Sequence, residues 1–189
     1  MKKILYAFLI FQALLFSSNA FSQSGDIFLK VVAPGYSFDG GATNAGYQRQ
    51  IEVYSFSDGI IGCTVSGVKA CVSAYGDFNF MTKMTRAVID FMSVQVQNKP
   101  VTSADLSWVV SGEVPFVSYK VHMEDVKVLS VQESGSSGGD NAPTVSVSLR
   151  PSRIAWSVNT QNANGTPGTP SVFGWDFAKN IAFNYVFPQ

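Results

Sequence analysis

A mainly β domain with one packed helix is what the sequence predicts, on three observations. Short runs of β-branched and aromatic residues are punctuated by Gly, Pro, Ser, Asn and Asp from residue 26 to the end. Within several runs apolar and polar residues alternate, the period of a half-buried strand. Helical spacing is confined to one stretch after Thr85.

Residues 1–22 stand apart and read as a secretory signal peptide. Lys2 and Lys3 supply a basic start, residues 4–16 an apolar run, and Ser17, Ser18, Ala20 and Ser22 a small-residue exit with cleavage expected after Ala20 or Ser22. The run falls short of the roughly 20 residues that span a bilayer. The expectation is an exported, periplasmic or extracellular protein without a stable membrane anchor. Its single domain would occupy residues 23–189.

Losing that segment leaves eleven basic against thirteen acidic residues. With no Lys/Arg cluster, the chain has little with which to neutralise phosphates, which argues against nucleic acid as a partner.

The elements follow in order. Residues 27–32 form a first strand, stopped by Pro34 and Gly35. Residues 50–56 form a second, ending at Asp58 and Gly59, and another group spans residues 77–81. Thr85 suits an N-cap, and Val88, Ile89, Met92 and Val96 then fall on one face of a helix expected over residues 86–97. Two long runs, 119–123 and 126–131, disagree in phase across Glu124 and Asp125, which calls for a bulge or turn there. A Ser/Gly-rich connector occupies residues 134–141. Val145, Val147 and Leu149 alternate with serines, and Ile154, Trp156 and Val158 repeat the period. After a Gly/Pro/Thr loop at 162–170, residues 172–187 close the chain with six aromatics.

Few residues are candidates for chemistry. Cys63 and Cys71, an isolated pair in an exported chain, favour a disulfide closing a small loop, worth about 2–3 kcal/mol on the chain-entropy model. Metal binding by both thiols with His122 lacks a fourth ligand, and the pair lacks the Cys-x-x-Cys redox spacing. No metal and no cofactor is expected. His122 is the only histidine, without a Gly-x-Ser-x-Gly elbow, and reads as a strand residue on a polar face. Glu124 and Asp125 point to opposite faces of a regular strand, so no carboxylate pair is expected and no catalytic residue is assigned. Trp156 and Trp175 suit a carbohydrate-stacking platform, but aromatics at strand period read better as core or interface.

Several segments carry a resemblance. They are the opening strand Asp26-Ile27-Phe28-Leu29-Lys30-Val31, the strand Gln50-Ile51-Glu52-Val53, a Phe80-x-x-Lys83 step into the helix, and the hairpin beginning Val121-His122-Met123-Glu124-Asp125-Val126. The most specific is Phe173-Gly174-Trp175-Asp176-Phe177 with Asn180. In this order they make the chain similar to the Hcp family, the ring-forming tube proteins of type VI secretion systems. The resemblance implies a compact β-barrel or two-sheet sandwich with one helix, and a non-enzymatic protein that assembles into a homohexameric ring. Its implied partners are further copies of itself, a secretion spike and small effector proteins. Family members are generally made without a signal peptide, so the implied protein is an exported relative acting as tube, carrier or secreted effector. Residues 59–75, where the family has a long inter-subunit loop, do not align residue by residue. The alternative is a monomeric secreted β-sandwich that binds a carbohydrate or cell-surface ligand; a hydrolase built on His122 is the weakest reading.

Overall fold

The computed structural model describes residues 25–62, 73–111, 115–137, 141–162 and 166–188. The expected signal segment, Cys63 and Cys71 lie outside these residues.

Mainly β structure with a single helix is what the described residues form. The strands are β1 (Gly25–Val32), β2 (Ile51–Val53), β3 (Ser55–Ser57), β4 (Ile60–Ile61), β5 (Ala74–Tyr75) and β6 (Phe78–Lys83), followed by helix α1 (Arg86–Val96). Then come β7 (Val101–Val110), β8 (Phe116–Ser134), β9 (Thr144–Arg150), β10 (Arg153–Val158), β11 (Ser171–Asp176) and β12 (Ile181–Ala182). One antiparallel array runs β12-β11-β10-β8-β7-β1-β2, and a second runs β3-β6-β9-β8. Strand β8 belongs to both.

The sharing is built into the sequence of β8. Up to Val126 it pairs with β7, and up to Glu124 with β10; from Lys127 onward it pairs with β9. Asp125, at the junction, has φ +51°, a left-handed conformation that Asp tolerates better than bulky residues. Tyr119, Val121 and Met123 face the core before it, whereas Val126 and Val128 do so after it. The phase break predicted at Glu124 and Asp125 is therefore the corner where the strand leaves one sheet for the other. A second irregularity between Val128 and Ser130 resets the phase again and brings Val131 against the core. The carbonyl of Leu129 at this bulge accepts a hydrogen bond from Gln95 Nε2 of α1 at 2.9 Å.

The expected strand 50–56 is likewise split: β2 joins β1, β3 joins β6, and Tyr54 between them donates its N–H to the Met81 carbonyl at 2.9 Å. Two corners thus fold the strands around one core, in which Leu29, Ile51, Phe78, Phe80, Leu106, Met123, Leu149 and Ile154 are fully buried. Strand β7 carries Val101, Ala104 and Leu106 into that core and was not foreseen, because the irregular spacing of these three residues blurs the strand period.

Helix α1 forms where expected but turns a different face inward. Ala87, Val88, Phe91 and Val94 are buried, while Ile89 and Val96, two members of the expected stripe, are exposed. The large ring of Phe91 decides the facing, packing on Phe38 at 4.8 Å and Phe80 at 5.8 Å between ring centroids. Thr85 occupies the N-cap position, yet its hydroxyl makes no hydrogen bond among the described residues. The Asp39 carbonyl takes the Ala87 N–H instead, at 3.0 Å, so the loop after β1 supplies the cap. Asp90 answers by accepting the Phe38 N–H at 2.8 Å.

If the β8 corner needs a residue tolerant of positive φ, Asp125→Val will cost about 1–2 kcal/mol and Asp125→Asn will cost less. Urea denaturation checks this: the valine variant should show the lower midpoint with an unchanged slope.

Candidate functional site

The five signature residues Phe173, Gly174, Trp175, Asp176 and Asn180 come together in the β11–β12 hairpin, each for a physical reason. Asp176 is buried and its carboxylate accepts the Lys179 N–H at 2.8 Å, which fixes the turn. Asn180 closes that turn at φ +55°, a conformation Asn tolerates. Residues 175 and 176 then pair with 182 and 181. Phe173 and Trp175 flank one another on β11 with ring centroids 6.4 Å apart, and Phe173 stacks on Trp156 of β10 at 5.8 Å. Trp156 packs against the core and donates Nε1–H to Asp58 Oδ2 at 2.9 Å, an oxygen that also accepts the Tyr75 hydroxyl at 3.2 Å. Burial and the adjoining Asp58 carboxylate push the Tyr75 phenol far above its ordinary range, so it stays a donor.

Gly174 serves the chain beyond the hairpin. A Cβ at this position would lie 2.2 Å from the Phe183 carbonyl oxygen, and the Phe183 N–H donates to the Gly174 carbonyl at 3.0 Å. Only a glycine lets the final segment cross this close. Residues 183–188 then run back over the outer face of β10, β8 and β7 as a strap, with Phe183, Tyr185 and Phe187 half-buried and the residues between them exposed.

Beneath the strap lies His122. It was expected on a polar strand face, and the face is polar, with the residue only 5% exposed beneath the strap. Its Nδ1–H donates to Asp105 Oδ1 at 2.5 Å and its Nε2–H to Glu124 Oε1 at 3.0 Å. Ionised carboxylates only accept, so both contacts are satisfied together when the ring is the doubly protonated imidazolium. Burial disfavours that charge, but the hydrogen bonds and negative charge of Asp105 and Glu124 outweigh it and raise the pKa above the ordinary 6.5. Tyr185 lies flat on the ring, 3.6 Å away and tilted by 7°. Arg153 ties the cluster to the β8 corner through Glu124 Oε2 at 3.0 Å and Asp125 Oδ2 at 2.7 Å, and sits 5.6 Å from the centre of the Phe183 ring.

A general base needs a free nitrogen within reach of a substrate proton, and His122 has neither a free nitrogen nor an open face. Sequence reasoning missed its partners. Glu124 stands two residues away, hence on the same strand face, while Asp105 lies on the unforeseen β7 directly opposite His122. Among the described residues no group of three or more His, Cys, Asp or Glu side chains could hold a metal ion. No helix there is long and apolar enough to cross a membrane.

Near the described ends of the segment carrying Cys63 and Cys71, β4 and β5 pair Ile60 with Tyr75 and Ile61 with Ala74. Ile60 and Ile61 are 49% and 61% exposed, so this short hairpin base presents apolar surface outward. Other exposed apolar residues include Val172, Phe173 and Ile181 on β11 and β12.

Residues 28–158 match the family model described as "Type VI secretion system effector, Hcp". The chain belongs to the Hcp family. Solved structures share its fold. One, a type six secretion system protein, is 23% identical with a TM-score of 0.75, over 85% of this chain and 100% of the other. Hcp1 from Salmonella typhimurium is 24% identical with a TM-score of 0.69, covering 85% of this chain and 99% of its own. Hcp2 from the same organism is 22% identical with a TM-score of 0.61, over 82% and 98%. No curated protein matches the chain. At these identities the likeness is one of fold, and the Hcp β-barrel-like sandwich is the architecture expected from the sequence. The strap begins after the region matched by the Hcp family model, as does the whole β11–β12 hairpin.

Introducing a Cβ under the strap should free it without unfolding the domain. Gly174→Ala is expected to make residues 183–188 removable by carboxypeptidase, read by mass spectrometry, at a stability cost of about 1–3 kcal/mol.

Proposed function

We propose that this Hcp-family chain is a non-enzymatic structural protein that assembles head-to-tail into a six-membered ring, exported through residues 1–22 and acting outside the cytoplasm. The observation that carries the reading is the family match over residues 28–158, joined to a fold shared with Hcp structures across 85% of the chain. Two further features support it. The exposed Ile60 and Ile61 sit where the family's inter-subunit loop would spring, and these adjacent apolar side chains suit a protein contact. The His122 site, with both nitrogens engaged, favours a structural over a catalytic role. A heterologous contact of this kind closes into a ring when its rotation divides the circle. Further copies of the chain are the first partners; a secretion spike and small effector proteins are the next.

A monomeric binding module is the competing reading, favoured by the half-exposed Phe173 stacked on Trp156. Absolute mass by light scattering across a concentration series separates the two. The ring predicts a mass near six protomers, and Ile61→Lys should move it toward one. A wild-type mass of one protomer at every concentration would favour the module.

A further inference from the structure

We propose that the C-terminal strap is a pH-set latch: protonated His122, clamped by Asp105 and Glu124, holds Tyr185 and hence residues 183–188 against the sheet, and deprotonation releases them. This goes beyond the assembly reading and does not depend on it.

The strap is held unevenly. Its named hydrogen bonds to the sheet lie near its ends, where Phe183 N–H donates to the Gly174 carbonyl at 3.0 Å and Lys120 Nζ donates to the Pro188 carbonyl at 2.6 Å. Between these, Tyr185 is seated on the His122 ring and touches Phe187 edge-on at 4.9 Å. Beside Tyr185 and Phe187 a cavity of about 640 Å³ extends over Phe116, Val117, Ser157 and Val172, so this end of the strap is not backed by close-packed core. An element with so little buried support belongs to the low-stability end of a fold.

The charges around His122 come from every neighbouring element. Asp105 approaches from β7, Glu124 and Lys120 from β8, Arg153 from β10 and Tyr185 from the strap, with Lys30 of β1 at the edge of the cavity that also holds Asp105 and Lys120. Arg153 keeps its charge through the neutral range, since its hydrogen bond to Asp125 raises a pKa already far above neutrality. Tyr185 stays neutral there, since burial, Asp105 and Glu124 all raise its pKa. His122 is thus the group able to change charge near neutrality. When its proton leaves to solvent, one carboxylate loses its donor and faces a ring lone pair. The ring beneath Tyr185 also loses the positive charge that a π-face attracts.

Asp105 and Glu124 stay on the sheet when the strap lifts and keep the His122 pKa raised in both states. What docking adds in favour of the charge is the face of Tyr185, stacked 3.6 Å from the ring. The strap is therefore held more tightly while His122 is protonated, and it loosens as pH rises through the raised pKa.

His122 is the chain's only histidine, so its imidazole Cε1 proton gives a single titration curve by NMR. The strap can be followed in the same protein through fluorotyrosine at Tyr185, assigned with Tyr185→Phe, and through chymotrypsin cleavage after residues 183 and 185. Cleavage is normalised at each pH to a free peptide of residues 181–188. The latch predicts one midpoint above 6.5 for all three signals, with faster cleavage on the alkaline side. Asp105→Asn should lower that midpoint by about one pH unit in every signal. A cleavage rate unchanged while His122 titrates would overturn the latch, even if the Tyr185 fluorine shifted. So would an Asp105→Asn variant whose His122 midpoint falls without the strap following.

Discussion

One strand has to serve two sheets, and most of the architecture is arranged around that constraint. Strand β8 can be an inner strand of one sheet and the edge of the next only by turning at Asp125, where φ is +51° and the core-facing phase flips. A straight strand of this length would put half its apolar residues in water, since a one-residue change of phase exchanges the two faces. The corner is reinforced from both sides. Arg153 pairs with Glu124 and Asp125 on the outside, while Gln95 of the helix binds the carbonyl at the nearby bulge. Tyr54 makes the matching corner between β2 and β3. The core enclosed by these two corners is therefore a consequence of local backbone choices as much as of hydrophobic content.

The outer face of β8 inherits the same geometry. Before the corner, the residues alternating with Val121 and Met123 are Lys120, His122 and Glu124, so a basic and acidic row faces outward, where an apolar row would be the usual target for a covering segment. Aromatic rings suit such a row because they cover area while their faces accept cations. Phe183 near Arg153 and Tyr185 on His122 follow this pattern, and Gly174 admits the segment that brings them there. The signature of β11 and β12 thus positions a cover. Its tryptophan and phenylalanine are only partly buried, so their energetic weight lies as much at the surface as in the core.

Much of this was legible in the sequence, for reasons that also explain what was not. Strict alternation identified β9, because Val145, Val147 and Leu149 all enter the core, and the phase conflict across Glu124 and Asp125 located the corner to that pair. Strand β7 escaped because its buried positions 101, 104 and 106 do not keep a two-residue period. The helix was found but rotated, since counting aliphatic residues overlooked Phe91, whose ring is the largest apolar group on that element. Thr85 was read as a side-chain cap, whereas the Asp39 carbonyl, more than forty positions upstream, does the capping, a contact no local pattern encodes. The His122 cluster was hidden for the same reason. A histidine, an aspartate and a tyrosine separated by 17 and 63 positions meet only when strands pair and the chain end folds back.

Family membership and fold make the next level of structure, the contact between copies, the point on which the account turns. Electron microscopy of the purified mature protein at high concentration tests it most directly. Annular particles whose class averages show six equal lobes around a lumen are the predicted result. Fields of single compact particles at every concentration would contradict it, leaving a chain that kept the Hcp fold without the ring.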